Sequence, residues 1–237
     1  MSNKLDPMIA AQKFVEEHFQ GCEGALLAGS VVRGEATSTS DLDLVIFGRH
    51  LESSYRESLI KYDWNIEVFA HNLQSYKTYF ESDCKRARPS LPRMVVEGVV
   101  LKDNGVIPGI KSEAASLLNK GPEPWPKETI DFKRYFITDV LDDLIGCQNR
   151  AEGIFITNEL ANLLSEFVLR TNNQWVGNSK WIIRSLRQFD HKLAERFVVA
   201  LDQYYKSENK GPLVQLTDKI LKPYGGRLFA GFSLGKN

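Results

Sequence analysis

Two aspartates that alternate with leucines are the residues of this chain best suited to do chemistry. They are Asp41 and Asp43, and the apolar run of residues 44–47 follows them. Side chains two residues apart on a β-strand point to the same side, so the two carboxylates should project together. Adjacent carboxylates repel each other unless a positive charge lies between them. The pattern therefore predicts a strand over residues 41–47 that carries a divalent metal.

A Gly-Ser turn precedes the aspartates. Gly29 and Ser30 follow the apolar residues 24–28, for which we predict a strand, and they begin a short helix. Glycine permits a close backbone approach, and free N–H groups at a helix start bind phosphate oxygens. The Ser30 hydroxyl adds a donor, and Arg33, one turn later, can reach the same phosphates. The aspartates would then hold Mg²⁺, which prefers carboxylate, water and phosphate oxygens.

A third carboxylate, Glu67, stands between Ile66 and Val68 in a strand predicted over residues 64–69. If this strand pairs beside that of residues 41–47, Glu67 joins the two aspartates. It would then ligate a second metal or accept the proton of an attacking hydroxyl. Each feature is common by itself, but their ordered combination is rare by chance. The combination indicates a site for a metal and a phosphate.

The elements that must position these residues divide the chain near residue 125. The first part should hold a helix from Pro7 to about residue 19, and we predict the strands already named. We also predict a helix over about 50–62, another from Asn72 to about residue 80, a helical and then extended segment over 89–101, and a turn at 105–109. This order of strands and helices indicates a small mixed sheet.

The second part begins after three prolines within residues 122–126, which form a stiff linker. Beyond them the apolar spacing is helical. The predicted helices cover about 127–147, 153–171, 178–189, 191–206 and 212–222. We therefore predict an α+β chain, with a mixed-sheet domain over residues 1–121 and an α-helical bundle domain over residues 127–237.

Composition and charge restrict the possible partners. The chain has 237 residues, of which 43% are hydrophobic, and its formal net charge is zero. No overall field therefore attracts nucleic acid or an anionic membrane, and a long nucleic acid is a disfavoured substrate. The three distant cysteines suggest reduced thiols rather than a disulfide framework. With no apolar run of membrane-spanning length and no signal-peptide pattern, we expect a cytoplasmic protein without a membrane partner.

The segment from Gly29 to Phe47 resembles the signature of the nucleotidyltransferase superfamily with a DNA polymerase β-like palm. That signature is a Gly-Ser, about ten residues, an Asp-x-Asp on a strand and an acidic residue on a later strand. The form GSxxRGxATxxSDxDL is especially similar to the minimal nucleotidyltransferases and to the aminoglycoside (streptomycin/spectinomycin-type) adenylyltransferases. The resemblance implies a Mg²⁺-dependent enzyme that moves a nucleoside monophosphate from ATP or another nucleoside triphosphate to a hydroxyl and releases pyrophosphate.

The same resemblance implies a role for each residue of the motif. Gly29 and Ser30 would hold the triphosphate, with Arg33 in a supporting role. Asp41 and Asp43 would ligate one or two Mg²⁺ ions. Glu67 would be the third acid and the general base.

A looser likeness covers the carboxyl half. Residues 173–181 and 195–205 resemble the helical domain of the streptomycin/spectinomycin adenylyltransferases. This likeness implies that Lys180 contacts the triphosphate and that Tyr204 or Tyr205 helps to form the nucleotide site. A surface lysine and packing tyrosines are the alternative interpretation.

The acceptor is open. One hypothesis is the hydroxyl of a small molecule such as an aminoglycoside. The acidic residues Asp139, Asp142 and Asp143 suit an amine-rich acceptor of this kind. Such acidic clusters are, however, more often solvated helix faces. The alternatives are an antitoxin-like enzyme that adds AMP to a partner protein and a non-catalytic nucleotide-binding module. An RNA-cleaving bundle with Arg184 and His191 has less support. The oligomeric state is also open.

Overall fold

The computed structural model describes residues 4–235. It contains two compact units, Met1–Lys120 and Gly121–Asn237. The elements of the first unit are α1 (Pro7–His18), β1 (Gly24–Ala28), α2 (Gly29–Val32), β2 (Leu42–Phe47), β3 (Tyr55–Lys61), β4 (Trp64–His71), α3 (Ser75–Lys85), α4 (Ser90–Glu97), β5 (Val99–Asp103) and α5 (Ile107–Lys120).

The strands of the first unit form one mixed sheet in the order β3-β4-β2-β1-β5. Strands β2 and β4 are parallel, whereas the other neighbouring pairs are antiparallel. The parallel register places Asp43 directly opposite Glu67. The strand pairing on which the predicted carboxylate cluster depended is therefore present.

Side chains alternate along each strand, and the central strands β1 and β2 are buried on both faces of the sheet. On one face, Leu27, Leu44 and Ile66 belong to a cluster that includes Phe14 of α1. On the other face, Leu26, Val45 and Phe47 belong to a cluster that includes residues of α3, α4 and α5. Asp43 and Val45 lie two residues apart on β2, so Asp43 faces the side of the sheet on which these three helices pack.

The predicted helix over residues 50–62 is wrong, because residues 55–61 form the edge strand β3. The turn that joins β3 to β4 consists of Tyr62 and Asp63, and both have a positive φ, of 54° and 60°. Two such residues form the tight hairpin turn that suits the twist of the strands. Neither is glycine or asparagine, so the usual sequence signal for a hairpin is missing. Pairing with β4 therefore overrides the helical composition.

The segment predicted as a turn at residues 105–109 instead leads into a helix. Helix α5 begins at Ile107. The Asp103 carboxylate accepts hydrogen bonds from the backbone N–H groups of Gly105, Val106 and Ile107. Pro108 falls in the first turn of the helix, where its missing N–H has no cost.

The second unit is helical. Its elements are α6 (Lys127–Gly146), α7 (Arg150–Thr171), α8 (Lys180–Phe189), α9 (His191–Ser207), α10 (Gly211–Leu221) and a short 3₁₀ helix (Lys222–Tyr224). A mixed sheet followed by a helical region confirms the predicted α+β fold class. None of the helices within residues 4–235 combines the length and apolarity that crossing a membrane requires.

Candidate active site

Three carboxylates converge at one end of the sheet. Asp43 lies on β2, Glu67 lies opposite it on β4, and Asp41 immediately precedes β2. One oxygen from each lies within 4.8 Å of the other two, and all three residues are partly buried. We call Asp41, Asp43 and Glu67 the carboxylate triad. Its hard, anionic oxygens are the ligands that Mg²⁺ prefers, so the donor set fits the predicted metal.

The environment of Asp43 disfavours its ionised form. Burial, followed by the charges of Asp41 and Glu67, raises the pKa of Asp43 to about 6, against the opposing effect of Arg33 and Arg56. Desolvation and like charges both penalise the carboxylate. A cation bound between the three groups would remove most of this penalty.

Gly29 connects the Gly-Ser turn to the carboxylate triad. Its φ is +81°, and a Cβ built on it would lie 1.8 Å from Oδ2 of Asp43. The Asp43 carboxylate thus packs directly against the backbone of the turn. Any other residue at position 29 would have to displace it and would also adopt a backbone conformation that glycine favours. As predicted, this turn opens a short helix, α2.

The Ser30 hydroxyl lies within the loop that leads to the aspartates. Ser30 is 8% exposed, and its Oγ donates to Oγ of Ser40 at 3.1 Å. The Ser40 oxygen in turn accepts from the backbone N–H of Thr37 at 2.8 Å. The loop therefore folds back onto the Gly-Ser turn. A phosphate contact by Ser30 stays a prediction.

Arg33 forms ion pairs with two carboxylates. Its Nε lies 3.1 Å from Oε2 of Glu35, and its NH1 donates to Oε1 of Glu97. The backbone N–H of Gly29 also donates to Oε1 of Glu97, at 3.2 Å. Sequence reasoning missed Glu97. The available signal was an acidic residue in the last turn of a helix, where the helix dipole disfavours negative charge.

Arg56 is the second residue that sequence reasoning missed. Its NH2 lies 2.6 Å from Oε2 of Glu67, and its guanidinium lies over the ring of Phe69, 4.9 Å from the centroid. Arg56 pairs in register with Phe69, and Ser58 pairs with Glu67. The arginine thus reaches the glutamate diagonally across two strands. The wrong helix prediction for residues 50–62 concealed this contact.

The predicted nucleotide-binding residues of the second unit differ in exposure. Lys180 is the exposed first residue of α8. Tyr204 is 2% exposed, and a Cβ built on Gly153 would lie 2.0 Å from its hydroxyl. The Tyr205 hydroxyl donates to Oδ1 of Asn158 at 2.7 Å. Burial favours a packing role for Tyr204, and the roles assigned to all three residues stay predictions.

The acidic residues of α6 are solvated. Asp139, Asp142 and Asp143 are exposed, and Asp142 pairs with Arg227 at 3.4 Å. His191 is the exposed first residue of α9. These positions agree with the more common interpretation of such residues as parts of a solvated surface.

Comparison with known proteins supports the predicted domain. Residues 10–96 match the family model described as the nucleotidyltransferase domain, and this range includes the Gly-Ser turn and the whole carboxylate triad. No curated protein sequence is significantly similar to the chain. A nucleotidyltransferase-like protein from Exiguobacterium sibiricum is similar in structure at a TM-score of 0.42, with 10% identity and 97% of each chain covered. The family match confirms the resemblance for the nucleotidyltransferase domain over residues 10–96, whereas the likeness to aminoglycoside adenylyltransferases stays a prediction.

Proposed function

We propose that this protein is a Mg²⁺-dependent nucleotidyltransferase that moves a nucleoside monophosphate, with AMP from ATP as the first candidate, to the hydroxyl of a small molecule. The observation that supports it best is the carboxylate triad, with its oxygens within 4.8 Å of one another. The triad lies beside a Gly-Ser turn within a segment that matches the nucleotidyltransferase domain.

Asp41, Asp43 and Glu67 are the residues that would hold one or two Mg²⁺ ions. Bound there, the metal would supply positive charge that favours an in-line displacement at the phosphate. The residues fit this role chemically, since burial and mutual repulsion make Asp43 a carboxylate that gains from a neighbouring cation. In this proposal residues 1–121 form the catalytic palm domain and residues 127–237 a helical domain.

The chain's own groups then have distinct tasks. The Gly29–Ser30 turn binds the triphosphate through groups other than the Gly29 N–H, which donates to Glu97, and the Arg33 guanidinium, next to the turn, adds positive charge. Glu67 accepts the proton of the acceptor hydroxyl, whose oxygen bonds to the α-phosphorus while the bond to pyrophosphate breaks. For Lys180, Tyr204 and Tyr205 only the resemblance supports a role, so the mechanism uses none of them.

The test is a transfer screen with ATP labelled at the α-phosphate. The protein is incubated with Mg²⁺ and, separately, with aminoglycosides, lincosamides and a cell lysate, and the Asp43→Asn variant is the control. Label in a small molecule supports the proposal, and label in a protein would replace the acceptor by a partner protein. If a non-hydrolysable ATP analogue at millimolar concentration fails to bind in the presence of Mg²⁺, the proposal is wrong.

A further inference from the structure

The position of Glu97 is at odds with the preferences of a helix end. Glu97 is the last residue of α4, where the partial negative charge of the helix C-terminus repels a carboxylate. The position after it is crowded: a Cβ on Gly98 would lie 2.8 Å from the Met94 carbonyl oxygen and 3.0 Å from Cβ of Leu26. The fold therefore holds a negative charge at a point where the helix itself disfavours it.

The contacts of Glu97 show what balances that charge. Its Oε1 accepts from both the Gly29 N–H and the Arg33 guanidinium. The side chains of Glu97 and Arg33 are only 23% and 21% exposed, so this ion pair is shielded from water more than a surface pair. One carboxylate oxygen thus joins the backbone of the Gly-Ser turn to the arginine that follows it.

The direction in which Arg33 is held also matters. The charge of Arg33 acts on Asp43, so the guanidinium lies within electrostatic range of the carboxylate triad. Glu35 contacts Nε of Arg33 while Glu97 contacts NH1. A planar guanidinium held through two of its nitrogens has little freedom to turn away.

We propose that Glu97 is a positioning residue for the triphosphate. By bonding to both the Gly29 N–H and Arg33, it sets the turn and the guanidinium in the geometry that receives the phosphates. Glu97 itself contacts neither the nucleotide nor the metal. This inference rests on the proposed function of the Gly-Ser turn, and it adds a residue on α4 to a site otherwise built from β2, β4 and the turn after β1.

The experiment measures binding of Mg²⁺ with α,β-methylene-ATP by calorimetry, together with binding of Mn²⁺ alone and the melting temperature. Glu97→Gln keeps an acceptor for the Gly29 N–H but removes the charge that holds Arg33. We expect it to raise the analogue's dissociation constant about tenfold, the effect of losing one charged hydrogen bond. Mn²⁺ affinity should stay within about twofold, since the carboxylate triad is intact. Glu97→Asp, which retains the charge, should recover part of the loss.

Two further variants separate positioning from general damage. Glu113→Gln is the matched control, because Glu113 is a half-buried glutamate of α5 whose carboxylate accepts from the Tyr76 hydroxyl at 2.8 Å. It should leave analogue binding unchanged. Arg33→Gln should weaken binding of the analogue as Glu97→Gln does. The double variant should bind the analogue at least as tightly as the single variant with the lower affinity, since the two residues act together.

The outcomes distinguish this inference from the function on which it rests. If Glu97→Gln binds the analogue as tightly as the wild type, or more tightly, Glu97 does not position the triphosphate site. The same conclusion follows if the loss of binding free energy in the double variant equals the sum of the losses caused by Glu97→Gln and Arg33→Gln. If the wild-type protein fails to bind the analogue, the proposed function itself is wrong.

Discussion

The two acidic clusters of this protein differ in how their charge is balanced. In the first unit the three carboxylates of the triad converge, and Arg56 forms an ion pair with Glu67. In the second unit the acids of α6 are spread along the surface. Asp131 pairs with Lys127 and Arg134, and the other acids of that helix are largely solvated.

The difference appears in opposite pKa shifts for the same residue type. Hydrogen bonds from Lys127 and Arg134 lower the pKa of Asp131, whereas burial and like charges raise that of Asp43 to about 6. A count of acidic residues along the sequence does not separate the two cases. A cluster of carboxylates with little positive charge beside it gains from a bound cation, and this supports the proposed metal site in the first unit.

The largest expected effect is on transfer. Asp43→Asn removes a central ligand of the carboxylate triad, so we expect the transfer rate to fall by roughly 10³-fold or more. The measurement is the rate of label transfer to the acceptor found in the screen. Asp142→Asn, which changes one of the solvated acids of α6, should retain full activity. Equal activity of the two variants would remove the distinction between the clusters.

Glu67→Gln should separate binding from turnover. The amide keeps the shape of the side chain but cannot accept the hydroxyl proton, so turnover should fall by about 10²–10⁴-fold. Binding of the ATP analogue with Mg²⁺, measured by calorimetry, should persist, because Asp41 and Asp43 remain to hold a metal. The reverse result, weaker binding with turnover retained, would make Glu67 a structural residue.

Gly29→Ala should destabilise the fold, because the new methyl would lie 1.8 Å from the Asp43 carboxylate. We expect a loss of about 3 kcal/mol in the free energy of unfolding, from overpacking and an unfavourable φ together. Gly34→Ala is the matched control, since Gly34 also has a positive φ, +70°, with nothing within 4 Å of a built Cβ. Gly34→Ala should lower the free energy of unfolding by about 1 kcal/mol. If denaturant titrations give similar losses for Gly29→Ala and Gly34→Ala, contact with Asp43 is unimportant.

The pH dependence of stability tests the raised pKa of Asp43 in the metal-free protein. The folded pKa of about 6 is above the ordinary value of 3.8, so the folded state binds more protons between these values and stability falls as pH rises through them. Asp43→Asn should therefore be more stable than wild type above pH 6, by up to about 3 kcal/mol. The difference should vanish near pH 4. A constant difference across this range, measured by urea unfolding, would contradict the assigned cause.

The smallest effect is expected at the solvated cluster. Asp142 and Arg227 form an exposed ion pair, with the aspartate 55% exposed, and such pairs contribute little. Asp142→Asn should change the free energy of unfolding by less than about 0.5 kcal/mol at any pH above 5. A larger loss would show that the Asp142–Arg227 ion pair also contributes to the stability of the fold.

Prediction from the sequence succeeded where local chemistry and spacing were sufficient. The Gly-Ser turn, the strand that carries Asp43 and the strand that carries Glu67 all occur close to their predicted positions. The carboxylates on these two strands come together because β2 and β4 are parallel neighbours. Local spacing in the sequence allows this pairing but does not require it. The pairing is confirmed in the structure.

Prediction failed where the partner lay far along the chain. Strand β3 has a helical composition and becomes a strand because β4 pairs with it, so the contact between Arg56 and Glu67 was not foreseen. Glu97 follows the Gly-Ser turn by 68 positions. No spacing rule connects residues at such a separation, because only packing of α4 against the sheet brings them together.

By itself, the sequence determined which groups are available: a glycine turn, two carboxylates two positions apart and a third on a later strand. Covalent geometry and strand periodicity are local, so these features can be read without knowing the fold. The tertiary structure decided that the three oxygens meet within 4.8 Å, that the Asp43 carboxylate packs against Gly29 and that Glu97 pairs with Arg33. Burial and charge depend on every element packed around a group, and this is why only the folded chain reveals them.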